Sequence, residues 1–431
     1  MATQVTVKSK TTGTLTFYTS YANARSAAAA GDVIQIRADL DEQIILKDGV
    51  DIIITSGKIV DIKTSLPTII DNGVKCICNI FGGGIIKNSN TGTVKQECIK
   101  ISNALSEIYI QCDSIYGLGG SSSGTRNLPA INVTQAAKFS VVCNNIYSNV
   151  NTSVLISNCS DFYIKCKSIE SGTFGSTNTG TSVLNLKASG SLFADEIICN
   201  GTGSCFEQTG GNIFAKISKL TTKDNASAAF PTLKLDNVTG EQSLILNFDE
   251  IQNLNDTDGD AVTLAEGKAV LTGRRIYSKK GLSLDLGANA NINCSEIISE
   301  TQGLNIHNTD PESIVIDSDI IEGSTGNSGV VYADLSSKFT IKNAKVRNVS
   351  TASSSVGIYL NPGNGNLSVN LINIIVVTGN TTSGESIYTL TGSNDTYVYN
   401  YGLFVNKEVN GINLLVGTVS NFKYINDINV S

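Results

Sequence analysis

The sequence predicts an all-β chain wound as a parallel β-helix solenoid, and three observations carry that prediction. Leu, Glu, Lys and Arg, which build amphipathic helices, are thinly used, while 49 Ile and 44 Asn favour strands and tight corners. Apolar residues recur along most of the chain at spacing 2, 2, 3. Runs of Gly, Ser, Thr and Asn separate the copies, as in Gly119 to Gly124 and Ser171 to Thr181.

The spacing is read first in Ile108, Ile110, Cys112, Ile115, then in Phe139, Val141, Cys143, Ile146 and in Phe162, Ile164, Cys166, Ile169. It continues through Ile213 to Leu220, Leu244 to Ile251, Ala290 to Ile297, Ile314 to Ile321, Phe339, Ile341, Asn343, Val346, and Leu367 to Ile374. Weaker copies fall at Val74, Cys76, Cys78, Phe81, at Leu192 to Ile197 and at Ala269, Leu271, Gly273, Ile276; Val50 to Ile54 is incomplete. A step of 2 keeps side chains on one face of a strand, and the step of 3 turns a corner before facing inward again. The third positions, from 54 to 371, mark 13 copies about 26 residues apart. A shorter strand precedes many of them, as in Ala261 to Leu264 and Gly303 to Ile306. Two or three strands per repeat without a helix is the arithmetic of a solenoid, and with strands about 4.8 Å apart thirteen rungs make a rod roughly 60 Å long. A β-sandwich predicts no such fixed register.

The elements follow in order. Residues 1–49 read as an N-terminal strand and a helical cap, with a helix over Thr19 to Ala30 and Gly31 placed to stop it. A cap is needed because a first rung left open would expose strand edges and an apolar cross-section. Residues 50–386 are the solenoid. From residue 387 the spacing loses register in a strand-rich tail with Asn410-Gly411 as a hairpin signal and Tyr388, Tyr397, Tyr399, Tyr401 and Tyr424 gathered near the end, an expected C-terminal cap and oligomerisation region.

The segment from Tyr18 to Ile54 resembles the start of pectate-lyase-like right-handed β-helix proteins: an Ala-rich helix, Gly31-Asp32, a strand, an acidic turn, and an apolar strand after Lys47-Asp48-Gly49. The layout of cap, long β-helix and strand-rich tail resembles phage tail fibres and tailspikes. That resemblance implies a non-enzymatic virion protein, a homotrimer in contact with other virion proteins, binding a host surface polysaccharide or protein. The alternatives are a polysaccharide depolymerase on the same scaffold and a bacterial adhesin. Carboxylates such as Asp249, Asp256, Asp258 or Asp317 would serve the depolymerase.

Composition narrows the chemistry. A net charge of -7 offers no basic stripe for nucleic acid. The N-terminus lacks the apolar core of a secretory signal and no run is long enough to span a membrane, so synthesis as a soluble chain is expected; the resemblance to phage fibres implies that this happens in a host cytoplasm and that the destination is a virion. His307 is the sole histidine, expected at an exposed turn with only Asp310, in a loop, near it in sequence. Cys78, Cys112, Cys143 and Cys166 are expected to stack as an inward column of small apolar side chains. Glu196, Lys219, Glu250, Arg275 and Glu296, each just before a corner, predict a ladder of alternating charge rather than a catalytic row. Asp256, Asp258 and Asp260 carry three carboxylates at alternate positions around Gly259, oxygens that can hold Ca²⁺; no other metal or cofactor and no catalytic residue is assigned.

Overall fold

The computed structural model describes residues 4–90, 97–118, 128–149, 152–172, 182–223, 230–236, 243–307, 314–326, 328–334, 338–352, 355–361, 367–378, 385–389, 396–400, 414–416 and 422–426. These residues form an all-β parallel solenoid with a single helix. The chain divides into two compact units, residues 1–217 and 218–431, taken here separately.

The first unit begins with Val5–Lys8, antiparallel to both Leu15–Tyr18 and Val33–Ile36. From Val33–Ile36 onward pairing is parallel, first to Asp51–Ile54. The helix spans Tyr21–Ala27, shorter than the expected Thr19 to Ala30. Ser20 caps it by accepting from Asn23 N, and the Asp32 carboxylate accepts from Ala29 N at 2.8 Å, which draws residues 28–30 out of helical geometry. Its buried Tyr21 donates to Ile45 O at 2.9 Å and Arg25 donates to Ile45 O and Leu46 O. The helix thus covers the open backbone groups of the first turn, as a solenoid cap must.

Each later turn has either two longer strands separated by a corner, as in Glu107–Gln111 and Ser114–Gly117, or one continuous strand running through it, as in Cys159–Ser171 and Ser243–Asn253, then a short strand. In the first unit the short strands Ile44–Ile45, Ile69–Ile70, Ile99–Ile101, Ile131–Val133, Val154–Ile156, Leu184–Leu186 and Phe206–Gln208 pair in parallel, each with the next. In the second, Leu233–Leu235, Val262–Leu264, Leu284–Leu286, Leu304–Ile306, Val331–Asp334 and Val356–Asn361 do the same. The fold has about 11 turns where the spacing counts 13.

The inward columns are those the spacing names. Ile108, Phe139 and Phe162 stack in register, as do Ile110, Val141 and Ile164, all at most 2% exposed. Gly273 holds a marker position because the Phe248 ring occupies the space beside it; a Cβ there would lie 2.4 Å from that ring. Two copies are mispositioned in the sequence reading. Val74 is 61% exposed in a turn that its N–H closes onto Asp71 O at 3.1 Å, and Cys76, Cys78 and Ile80 face the core instead; Phe81 is half-buried and Ile86 takes the next buried place, because Gly82-Gly83-Gly84 inserts a bend between the two longer strands. Asn343 is exposed in left-handed geometry (φ 61°) at the corner after Lys338–Lys342, and Ala344 takes the buried place.

The cysteine column is therefore shorter than expected. Cys78 pairs with Ile108, so it stacks with Ile108, Phe139 and Phe162. Cys112, Cys143 and Cys166 do share a column, one residue beyond the paired Gln111/Val142 and at Val142/Lys165 plus one, and Ala194 continues it. All ten cysteines are buried free thiols.

In the second unit the charge ladder forms. Glu250, Arg275 and Glu296 are in register, with Lys219–Glu250 at 3.7 Å, Arg275–Glu250 at 3.2 Å and Arg275–Glu296 at 3.5 Å. Glu196, in the first unit, lies opposite Ser168. Because Arg275 bridges two carboxylates at a partly exposed edge, Arg275→Ala is expected to cost about 1 kcal/mol in low salt, shrinking in concentrated salt. Chemical denaturation at the two ionic strengths checks this; an undiminished loss would mean that packing over Tyr277 (4.8 Å), not charge, is what Arg275 supplies.

Past residue 386 the side-chain spacing is lost but parallel backbone pairing continues, through Glu385–Thr389, Thr396–Asn400, Leu414–Val416 and Phe422–Asn426. The tyrosine side chains grouped there in sequence, and Asn410-Gly411, lie outside the described residues.

Candidate functional site

The site with the most chemistry sits in the second unit, where the chain leaves the long strands Ser243–Asn253, Lys268–Ser278 and Asn289–Ser299 for the short strands that follow. The turn is organised from inside by a polar residue. Asn253, fully buried, donates from Nδ2 to Phe230 O and Asp260 O, both at 2.8 Å, and its Oδ1 accepts from Asn255 N at 3.0 Å. Asn255 in turn accepts from Thr257 N and Thr257 Oγ1. In register above Asn253 stand Ser278 and Ser299, whose hydroxyls donate at 2.7 Å to Gly259 O and Gly281 O. Successive loops are thus tied one upon another.

Their outer surface is a groove of about 520 Å³ lined by Asp258, Asp260, Lys280, Gly281, Leu282, Thr301, Gln302, Ser324 and Thr325. Four consecutive turns contribute. Asp260 is the anchored carboxylate: Oδ1 accepts from Leu282 N at 2.8 Å and Oδ2 from Thr263 Oγ1 at 3.2 Å. Burial pushes its pKa up to about 6, with the charges of Asp285 and Asp258 adding to the rise and the bonds from Leu282 N and Thr263 opposing it. Thr301 Oγ1 donates to Lys280 O and Gly281 O, which fixes the groove wall.

The three aspartates read as Ca²⁺ ligands are placed differently from one another. Asp256 pairs with Lys279 at 2.5 Å, Asp258 is exposed at the groove, and Asp260 is turned under the loop. Among the described residues no three His, Cys, Asp or Glu side chains gather so as to hold a metal ion. The other carboxylates named from sequence are in surface pairs: Asp249 with Arg274 at 2.9 Å, and Asp317 with Lys342 at 3.0 Å and Asn343 at 2.8 Å.

His307 is half-buried and paired, not simply an exposed turn residue. Its Nε2 lies 3.1 Å from Asp285 Oδ1, which also accepts from Asn305 Nδ2 at 3.0 Å. That hydrogen bond raises the His307 pKa against the effect of burial, and the charge of Asp334 on the next turn adds to it. Gly287, one turn back, leaves room for the ring; a Cβ there would sit 2.6 Å from His307 Cε1. Asp310, the neighbour in sequence, lies outside the described residues. The true partner is 22 residues earlier, and aligning Leu284-Asp285-Leu286 on Leu304-Asn305-Ile306 is the signal that finds it. Beyond it on the same outer face, Tyr332 and Tyr359 stack with centroids 5.4 Å apart, and Asn361 donates to Tyr332 OH.

In the first unit a separate aromatic row, Tyr163, Phe193 and Phe214, lies on the outer face with centroid spacings of 5.6 and 5.9 Å. Tyr163 and Phe214 are 37% and 39% exposed.

Compared with protein-family models, curated proteins and solved structures, the chain matches none. Among the described residues no helix is long and apolar enough to cross a membrane.

Proposed function

We propose that the chain is a structural protein of a virion fibre, of the right-handed β-helix tail-fibre or tailspike type, homotrimeric, and that it binds a host surface polysaccharide in the groove at the Asp260 corner. The groove is the observation that carries the glycan reading. Hydroxyls of Thr301, Ser324 and Thr325, the amide of Gln302 and the charged Asp258, Asp260 and Lys280 line one open channel across four turns. Turns about 4.8 Å apart offer one set of donors and acceptors per rung, a spacing close to the length of one sugar unit. Binding rather than cleavage is favoured because Asp249, Asp256 and Asp317 are neutralised by Arg274, Lys279 and Lys342. The virion assignment rests on the resemblance in layout and composition, with synthesis in the host cytoplasm and other virion proteins as neighbours.

Gln302→Ala together with Thr325→Val should weaken binding of the full chain to purified host surface polysaccharide at least tenfold, as two lost hydrogen bonds imply. Thr340→Ala, outside the groove, should leave it unchanged. Equal binding by all variants would remove the groove from the reading. A monomeric mass by light scattering would overturn the trimeric fibre.

A tailspike-like depolymerase is the second reading, favoured by one observation: Asp260, with its raised pKa, shares the groove with Asp258. Release of reducing ends or unsaturated sugars from the bound polysaccharide would establish it.

A further inference from the structure

The first unit carries a row of outward aromatic rings that takes no part in its core. Tyr163, Phe193 and Phe214 stand on three successive turns, in the strands Cys159–Ser171, Gly190–Cys199 and Asn212–Thr222. Their neighbours Phe162, Ile164, Leu192, Ala194, Ile213 and Ala215 are buried, so strand alternation turns every ring outward. The rings lean on one another, with centroids 5.6 and 5.9 Å apart and planes inclined by 44° and 56°, and leave Tyr163 37% and Phe214 39% exposed. Pairing is continuous from Phe162/Gly190 to Cys166/Ala194, so no loop of these two strands rises over the rings. Ser140 and Ser191 flank Tyr163 in register, and Tyr109, also partly exposed, stands opposite Ser140 one turn further back.

The charge beside the rings is cationic. Lys165 lies directly opposite Phe193, Lys167 follows it by two residues, and Lys216 follows Phe214 by two. All three are exposed, and among the described residues none of them forms an ion pair. Lys138, one turn before Tyr163, has its partner in Glu107 at 3.4 Å. Over residues 161–167, 191–195 and 212–216 three lysines stand against two aspartates, Asp161 and Asp195, which leaves one positive charge in excess.

Area decides what such a surface can hold. An aromatic side chain carries roughly 150–250 Å², so rings exposed to this degree offer on the order of 200 Å² together, against about 800 Å² per partner in a stable protein interface. A polymer strand one sugar wide fits that area. A pyranose ring presents C–H groups on its face and hydroxyls around its edge. The face packs on an aromatic ring, the edge reaches the hydroxyls of Tyr163, Ser140 and Ser191, and a uronate carboxylate meets a lysine that has no other partner. We propose that Tyr163, Phe193 and Phe214, with Lys165 and Lys216, form a second binding site, for a polysaccharide whose sugars carry carboxylates. It uses no residue of the groove and stands or falls apart from it.

The test measures binding of the full chain to labelled oligomers of alginate and hyaluronan, two uronate polymers, and to the same oligomers with their carboxylates reduced to hydroxymethyl groups, by equilibrium dialysis. The native oligomers are expected to bind at least tenfold more tightly than the reduced ones, and less tightly in concentrated salt. Phe193→Ala with Phe214→Ala should weaken binding of both forms at least tenfold. Lys165→Gln with Lys216→Gln should bring the native form down to the level of the reduced form and leave the reduced form unchanged; being fully on the surface, this pair decides alone should the ring variant fail to fold. Gln302→Ala with Thr325→Val, in the groove, should change neither, which separates a failure of this site from a failure of the groove. Equal binding of native and reduced oligomers, affinities that the ring and lysine variants leave unaltered, or no binding of either polymer would overturn the assignment. So would a dimer that Phe214→Ala dissolves, which makes the row a protein contact, or tighter binding of a single-stranded oligonucleotide, which makes it a surface for bases.

Discussion

Asn253→Ala is expected to destabilise the chain by about 4 kcal/mol, the largest effect foreseen for any polar substitution in it. The side chain makes three hydrogen bonds inside a corner from which water is excluded: two donated to Phe230 O and Asp260 O, one accepted from Asn255 N. Alanine leaves two carbonyls and one N–H unpaired, each costing roughly 1–3 kcal/mol, partly relieved as the loop relaxes toward solvent. Asn253→Ser should lose about half as much, because Ser278 and Ser299 hold the same position on the next turns through one bond each. Guanidinium unfolding measures both. Since turns of a solenoid open semi-independently, hydrogen exchange should accelerate first at residues 254–260 and 281–282. A loss below about 1 kcal/mol would show that the corner stands without its internal asparagine.

The same device recurs. Asn88 bridges Leu66 O and Glu97 O, and Asn348 bridges Thr325 O and Val356 O, with Oδ1 of each accepting from the N–H two residues on. Part of the Asn excess in the composition is thus structural and internal, which the linear pattern conceals. Apolar periodicity reveals which residues face in when they are Ile or Phe; it is silent about a buried amide, because Asn reads as loop composition. The periodicity also fails where the step of 3 moves. At Gly82-Gly83-Gly84 three residues enter the bend, and at Asn343 the left-handed corner comes one position early, so the spacing points Phe81 and Asn343 inward whereas Phe81 is half-buried and Asn343 exposed. The site is less legible than the fold for a further reason. Asp260 meets Leu282, and Asp285 meets His307, across turns some 20 residues apart. Only the register joins such residues, and loops of unequal length hide the register until strands are paired. The charge ladder was legible because Glu250, Arg275 and Glu296 sit at one fixed offset from the corner.

Asp260→Asn is expected to stabilise the chain at neutral pH by about 2 kcal/mol and to flatten its pH dependence. The folded-state pKa of about 6 lies above the ordinary aspartate value of 3.8, so between these two values the folded chain holds a proton that the unfolded chain has released. Stability from this group is complete below the unfolded pKa, falls as pH rises through the window from about 4 to 6, and is lost above it. The gap between these two values corresponds to roughly 3 kcal/mol, reduced here because the carboxyl is not fully enclosed. Asparagine removes the buried charge, and its Oδ1 still accepts from Leu282 N while its amide turns toward Thr263 Oγ1. Unfolding curves at pH 4, 5, 6 and 7 would show the unaltered chain losing stability across the series relative to the variant; parallel curves would place the Asp260 pKa in the ordinary carboxylate range. The same variant bears on function. A binding groove should retain its polysaccharide, since the amide preserves size and hydrogen bonding, whereas a depolymerase that uses Asp260 as its proton donor would keep binding and lose cleavage entirely.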